Sequence, residues 1–262
     1  MKSITFIKSE ECIKRMLKRA SISGAIWRSH EIFALAGYSL KRPILDLGCG
    51  DGRYAKWVLN EKMDIGLDIS TRVIKKAEKN NAYFKYVVAD ANKIPLENGS
   101  VNTIFSNSAF EHFNNLNKPL SEINRILKKN GNLIFTTHSP SSMKFTSVKV
   151  LRKLGLPFLA KLVEKIFVYQ LQLHSLRTQE KWKELLESKG FAVIKIKNLI
   201  SARSFFFYEM FMPFTFVQNR IYFLKIIPFA SFVLNVFNID YSESVKDGYN
   251  FLIISKKIKS IE

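Results

Sequence analysis

The stretch Ile44-Leu45-Asp46-Leu47-Gly48-Cys49-Gly50-Asp51-Gly52-Arg53-Tyr54 constrains this chain more than any other. An apolar run ends in three alternating glycines, and a helix-compatible segment, Tyr54 to Lys62, follows. That order predicts a strand, a tight turn and a helix. A strand buried on both faces is apolar almost throughout, so the carboxylate of Asp46 near its end needs a reason to be there. Glycines allow positive φ and let a ligand come up against bare backbone. The N–H groups that open the next helix favour negative charge.

Spacing separates two ligand classes. The dinucleotide fingerprint is G-x-G-x-x-G. Here the third glycine comes one residue early, and Arg53 stands where it should be. An acid two residues before the first glycine would repel a pyrophosphate, but it suits a ligand with an ammonium group, such as the amino-acid end of S-adenosylmethionine. Further elements follow in order. Ile65 to Ser70 is a second strand ending at Asp68, 22 residues after Asp46. Tyr83 to Val88 is a third, ending at Ala89-Asp90-Ala91-Asn92. After Ile94-Pro95-Leu96 and the turn Glu97-Asn98-Gly99-Ser100, Val101 to Ser106 is a fourth, carrying Asn107-Ser108-Ala109-Phe110-Glu111-His112.

As an ordered set, from about Pro43 to Thr137, these motifs resemble the class I S-adenosylmethionine-dependent methyltransferases, and within them the type 11 family. Any single Asp could be a turn or cap residue; four motifs in sequence are poorly explained that way. The resemblance implies S-adenosylmethionine as cofactor and a Rossmann-like, doubly wound α/β sheet of seven strands. It implies that Asp46, Gly48, Gly50, Asp68, Ile69, Asp90, Ala91 and Asn107 bind the cofactor, with Asp46 suited to the amino-acid end, Asp68 at the ribose hydroxyls, Asp90 and the backbone of Ala91 at the adenine, and Asn107 at the methionine portion.

Single-domain organisation suits the length and the 47% hydrophobic content. Segments 1–40 read as N-terminal helices, with Cys12, Ile13, Met16, Leu17 and Ala20 at helical spacing, Gly24 as an interruption and Ile26 to Ala36 as a resumption. Segment 41–140 is the cofactor-binding core, 141–173 a helical insertion, 174–200 and 249–258 the last strands, and 201–248 an aromatic-rich lid. In the core, Pro119 to Lys129 reads as a helix closed by Asn130-Gly131, and Asn132 to Thr137 as the fifth strand. Thr178 is a cap for Gln179 to Ser188. Trp27 and Tyr38 suit either a cleft cover or the core.

Both insertions leave the carboxyl ends of strands, where ligands bind in doubly wound sheets. They therefore predict a two-part lid over the reaction site. From Phe205 to Phe237 lie ten of the 22 phenylalanines, and the only charges are Glu209, Arg220 and Lys225. Spanning a membrane takes about 20 predominantly apolar residues, and Ile221 to Phe237 is shorter and contains Lys225 and Pro228. Contact with a membrane interface and packing as a helical cap are both open.

A net charge of +19 suits an anionic membrane face or nucleic acid, or a basic composition spread over solvated faces. Two cysteines, one in the glycine loop, and the absence of a leader-like apolar stretch predict a cytoplasmic protein, peripheral at the inner membrane face if lipid is its partner. No Cys and His spacing suits zinc, so no metal is expected.

The sulfonium methyl of such a cofactor is strongly electrophilic, so the protein mainly has to align a nucleophile and exclude water. An oxygen nucleophile of high pKa gains from a general base. His138, at the end of strand five, is the best placed; Glu111, His112 and His174 are the others, with His112 read as a packing residue and His174 as the start of a helix. The expected reaction is methyl transfer to a lipophilic small molecule or lipid-linked acceptor, at oxygen. The alternatives are an RNA (tRNA) methyltransferase, argued by the charge but not by the apolar lid, and a non-catalytic membrane-associated scaffold.

Overall fold

The computed structural model describes residues 2–17, 20–220 and 245–260. Two short strands near the N-terminus, β1 (Ser3–Thr5) and β2 (Ser39–Lys41), pair antiparallel. Seven others form the main sheet: β3 (Ile44–Leu47), β4 (Met63–Asp68), β5 (Tyr83–Val88), β6 (Val101–Asn107), β7 (Leu127–His138), β8 (Phe191–Leu199) and β9 (Asn250–Lys257). Their spatial order is β5-β4-β3-β6-β7-β9-β8. β3 to β7 pair in parallel, β9 runs antiparallel to both neighbours, and β8 therefore points the same way as the first five. This is the doubly wound, seven-stranded sheet expected from strand and helix alternation.

Helices α1 (Ser9–Leu17), α2 (Ile22–Leu35), α3 (Arg53–Val58) and α4 (Thr71–Asn80) cover one face. On the other face lie α5 (Asn117–Ile126) and, later in the chain, the helix Gln179–Ser188. Between those two come α6 (Thr146–Lys153) and α7 (Pro157–Leu171), so Gln179–Ser188 is α8; α9 (Ala202–Arg220) follows β8. Alternation along β3 shows why the sheet carries two cores: Ile44 joins one cluster, while Leu45 and Leu47 join the other.

Four boundaries differ from the sequence reading. Segment 1–40 is not helical throughout: it opens on β1 and runs into β2, which pair with each other. Gly24 does not interrupt a helix; it sits inside the first turn of α2, where its N–H donates to the capping hydroxyl of Ser21. A Cβ there would lie 2.9 Å from that oxygen, so glycine lets the cap approach. α3 stops at Val58, short of Lys62, because the Val58 carbonyl accepts from the N–H of Ile7 and Leu59 turns extended. α5 ends at Ile126, and β7 begins at Leu127 opposite Val101. Asn130-Gly131 therefore lies within a strand, Asn130 at φ 64°, and is not a helix cap. The competing interaction is the buried Lys257, whose Nζ donates to the carbonyls of Asn124 and Leu127 at the end of α5.

The cap at Thr178, the break at Gly155 before α7, and the strands at 191 and 250 fall where the sequence places them. Cys12 and Cys49 are both buried and free. No helix among the described residues is long and apolar enough to cross a membrane. The expectations for Ile221 to Phe237 lie outside the described residues.

The two insertions are joined by one carboxylate. Buried Glu209 of α9 accepts from the N–H groups of Thr146 (3.0 Å) and Ser147 (2.8 Å), which open α6. These donors have no partner inside the helix, so the acid serves as a cap supplied from another segment. Around it, α9 packs on α2 and α6, and Phe205 stacks on Tyr249 at 4.0 Å. Glu209→Ala should cost about 1–2 kcal/mol, the range for a lost cap, and should speed proteolytic cleavage between 146 and 171. An unchanged denaturation midpoint with an unchanged cleavage pattern would remove Glu209 from this role.

Candidate active site

A cavity of about 580 Å³ opens at the carboxyl ends of β3, β4 and β5. Gly48, Asp68, Ile69, Asp90 and Ala91 lie in its wall, with the apolar side chains of Leu47, Leu67 and Phe113. Gly48 has φ +71°, and a Cβ on it would come 2.6 Å from that of Ala109, so only glycine lets the two loops meet. Asp68 is held rigidly: Oδ2 accepts from the Gly50 N–H (3.1 Å) and Oδ1 from that of Ser70 (2.9 Å). A carboxylate has about four acceptor positions, so each oxygen keeps one for a hydroxyl. Asp90 Oδ1 accepts from the backbone and the side chain of Asn92. Two fixed carboxylates around an apolar slot fit a nucleoside with a vicinal diol.

Three residues assigned to the cofactor by sequence are not in this wall. Asp46 is buried on the opposite face of β3, where its Oδ2 accepts the Tyr83 hydroxyl at 2.6 Å. Burial pushes its carboxyl up to about 7. Tyr83 reaches it by lying across Gly66, where a Cβ would meet the ring at 2.6 Å. Gly50 acts at one remove, through its N–H on Asp68. The side chain of Asn107 is turned away: Nδ2 donates to Glu31 at 3.2 Å, and Oδ1 lies 3.0 Å from the Thr136 hydroxyl.

Glu31 was not singled out in the sequence, yet it is completely buried at the ends of three strands. Its Oε1 is approached by Trp27 Nε1 (3.1 Å), Ser108 Oγ (2.8 Å), Thr136 Oγ1 (3.0 Å) and Asn250 Nδ2 (2.9 Å). Its Oε2 accepts from Arg28 Nη1 (2.7 Å) as well as from Asn107. These donors come from α2, β7, β9 and the end of β6. The signal in sequence was faint: a short polar run, Arg28-Ser29-His30-Glu31, between the apolar runs Ala25-Ile26-Trp27 and Ile32-Phe33-Ala34.

A second cavity, of about 400 Å³, lies beyond Glu31, between α2, α7 and α9. Its wall includes Trp27, Arg28, Glu111, His138, Leu171 and Tyr208. Ser108 and His112 line both cavities, so the two meet there. Ser108 holds φ +50°, a left-handed conformation that is strained for serine, fixed by its bonds to Glu31 and Thr136.

His138 is buried against Trp27, ring on ring at 4.1 Å. Ser142 gives its one proton to the Tyr249 carbonyl (2.6 Å), so His138 Nδ1, 3.1 Å from Ser142 Oγ, must donate to it. Nε2 is left with its lone pair. Glu111 Oε1 is 3.6 Å from Nε2, outside hydrogen-bond distance, and neither of its carboxyl oxygens has a hydrogen-bond partner among the described residues. Burial pushes Glu111 up to about 8 and holds His138 well below its ordinary value. Both groups are therefore neutral near pH 7.

His112 is more than a packing residue, since it faces both cavities while Nδ1 lies 3.1 Å from the Gln172 carbonyl. His174 starts no helix: its backbone N–H bonds the Glu111 carbonyl, and α8 begins only at Gln179. Trp27 belongs to the cleft, and Tyr38 lies elsewhere, its hydroxyl bonded to Lys195. No group of three or more potential metal ligands occurs among the described residues.

The sheet order is that of the class I S-adenosylmethionine-dependent methyltransferase fold. A solved S-adenosylmethionine-dependent methyltransferase from Mesorhizobium loti superposes with a TM-score of 0.53 over 90% of this chain and 100% of that one, at 16% identity. Phosphoethanolamine N-methyltransferase 2 of Haemonchus contortus, solved with S-adenosyl-L-methionine, gives 0.52 over 84% of this chain and 49% of that one, at 19% identity. Over residues 45–135 the chain matches the family model described as a methyltransferase domain. Its cofactor is S-adenosylmethionine. Malonyl-[acyl-carrier protein] O-methyltransferase of Hamiltonella defensa is 30% identical over 114 residues, 43% of this chain and 44% of the relative. The match spans less than half the length of the curated relatives.

The raised Glu111 carboxyl has a consequence for stability. Between the ordinary carboxyl value and about 8, the folded protein keeps a proton that the unfolded chain has lost. Stability contributed by this group is therefore lost as pH rises through that window. Glu111→Gln abolishes the titration, so its Tm should gain on the wild type between pH 5 and pH 8.5. A constant difference in Tm across that range would show that Glu111 is ionised in the fold.

Proposed function

We propose that the chain transfers the methyl group of S-adenosylmethionine to an oxygen of a lipophilic or lipid-linked acceptor. The observation that carries this reading is the meeting of two cavities at Ser108 and His112, one walled by two fixed carboxylates and the other by aromatic side chains beside a histidine base. Asp68 and Ile69 would hold the ribose, and Asp90 with the backbone of Ala91 the adenine. Gly48 gives the backbone approach, while Gly50, Asp46 and Asn107 support the walls from behind. When bound, the cofactor supplies an electrophilic methyl on a positively charged sulfur.

The chain's own part is to place the acceptor and manage its proton. An acceptor hydroxyl in the second cavity would donate to Nε2 of His138, whose Nδ1 proton is fixed on Ser142. The imidazolium so formed has both nitrogens protonated, and Glu111, 3.6 Å from Nε2, would stabilise it as a carboxylate once its own proton has passed to solvent in the cavity. Trp27 and Tyr208, with the last turn of α7, would exclude water. An oxygen acceptor also agrees with the names of the relatives, which act on an acyl-carrier-linked malonyl group.

The test is transfer of labelled methyl to long-chain alcohols, phenols and fatty acids, followed by extraction into organic solvent. Asp68→Ala should weaken S-adenosylhomocysteine binding by about 1–3 kcal/mol, the range for lost charge-assisted hydrogen bonds. His138→Ala should leave that affinity unchanged and lower kcat by about 10²–10⁴ for hydroxyl acceptors. Because burial keeps His138 unprotonated, the wild-type rate should stay level down to pH 6. A rate that falls below pH 6.5 with the slope of one proton, or a His138→Ala enzyme of full activity, would assign the base elsewhere.

A further inference from the structure

We propose that the α6–α7 hairpin is a docking surface for an anionic lipid bilayer, set beside the mouth of the second cavity. This deepens the proposed reaction and rests on it for what the bilayer delivers, though not for the docking itself. α7 is largely apolar, its charges being Lys161, Glu164 and Lys165. Yet only Ala160, Phe167 and Leu171 are buried. Its outer face carries Phe158, Leu162, Ile166 and Tyr169 at helical spacing, with Phe158 84% and Tyr169 76% exposed. Leu154 and Leu156 at the turn before the helix are exposed too. A contiguous apolar face of this kind marks a binding surface rather than ordinary scatter.

Charge identifies the partner. Exposed Lys144, Lys149, Arg152, Lys153, Lys161 and Lys165 surround the apolar face. The one carboxylate between 144 and 171, Glu164, is paired with Arg152 at 2.8 Å. Aliphatic and aromatic side chains framed by lysines match the boundary between acyl chains and anionic headgroups, where lysine stems bury and their ammonium groups stay wet. Fifteen residues make α7 too short to span, so it would lie in the plane of the interface. The last turn of α7 then becomes significant, because Gln170 and Leu171 line the second cavity next to exposed Tyr169. A docked bilayer would meet the cavity at that wall, and an amphiphilic acceptor could enter without crossing water.

Sedimentation with vesicles separates the possibilities, using phosphatidylcholine alone and an equal mixture of phosphatidylcholine and phosphatidylglycerol. The full chain should sediment with the mixed vesicles only. Phe158→Ser with Leu162→Ser should lower partitioning by about tenfold or more, and Lys161→Glu with Lys165→Glu should abolish the preference for phosphatidylglycerol. S-adenosylhomocysteine affinity should be unchanged in both variants, which shows that they fold. Wild-type protein that stays in solution with both vesicle types, or the apolar variant sedimenting like the wild type, would overturn the proposal. So would saturable binding of an acidic carrier protein that these substitutions abolish while vesicles are ignored. Failure of S-adenosylhomocysteine to bind the wild type would refute the proposed reaction and leave the docking result standing.

Discussion

A buried glutamate with six surrounding donors is the interaction on which the upper edge of this sheet depends. Glu31 brings α2 over the ends of β6, β7 and β9, and each donor would be costly to bury without it. By fixing Ser108 in a left-handed conformation, it also sets the wall between the two cavities. The group that anchors the N-terminal helix thus also shapes the wall where the two cavities meet. Removing one partner from such a network leaves the rest uncompensated in a medium of low dielectric.

Acids at the strand ends divide into two kinds by environment. Asp68 and Asp90 meet backbone amides and border open space. Asp46, Glu111 and Glu209 are buried, and burial raises all three. Asp46 is matched by one phenolic proton and Glu209 by two helix amides, so both are structural devices. Glu111 has neither arrangement and sits beside a histidine whose free nitrogen its oxygen nearly reaches. An unmatched carboxyl costs stability, and its place in a cavity wall gives that cost a use.

The alternation of short apolar strands with helices made the sheet legible, because period and punctuation are local properties. That Gly48, Asp68 and Asp90 share one cavity wall was readable for the same reason: each lies at a strand end, and the fold brings strand ends together. The partners of Asp46 and Asn107 were not legible, because the side of a strand that a residue occupies depends on register and on a distant neighbour. Tyr83, 37 residues on, claims one, and Glu31, 76 residues back, claims the other. Lys257, which ends α5 from the far end of the chain, is of the same long-range kind. Glu31 itself gave only the faint signal of a short polar run in an apolar helix; Trp27 and Arg28 are its neighbours by helical spacing, but Asn107, Ser108, Thr136 and Asn250 are not announced by anything nearby in sequence.

The account turns on where the cofactor lies relative to the Ser108 wall. A crystal structure of the chain with S-adenosylhomocysteine tests this most directly. The account predicts the adenosine between Asp68 and Asp90, both ribose hydroxyls on Asp68, and the sulfur end of the ligand at Ser108 and His112, facing the cavity that contains His138. Adenosine seated instead in the cavity against Trp27 and Arg28, or a sulfur directed away from Ser108, would contradict it.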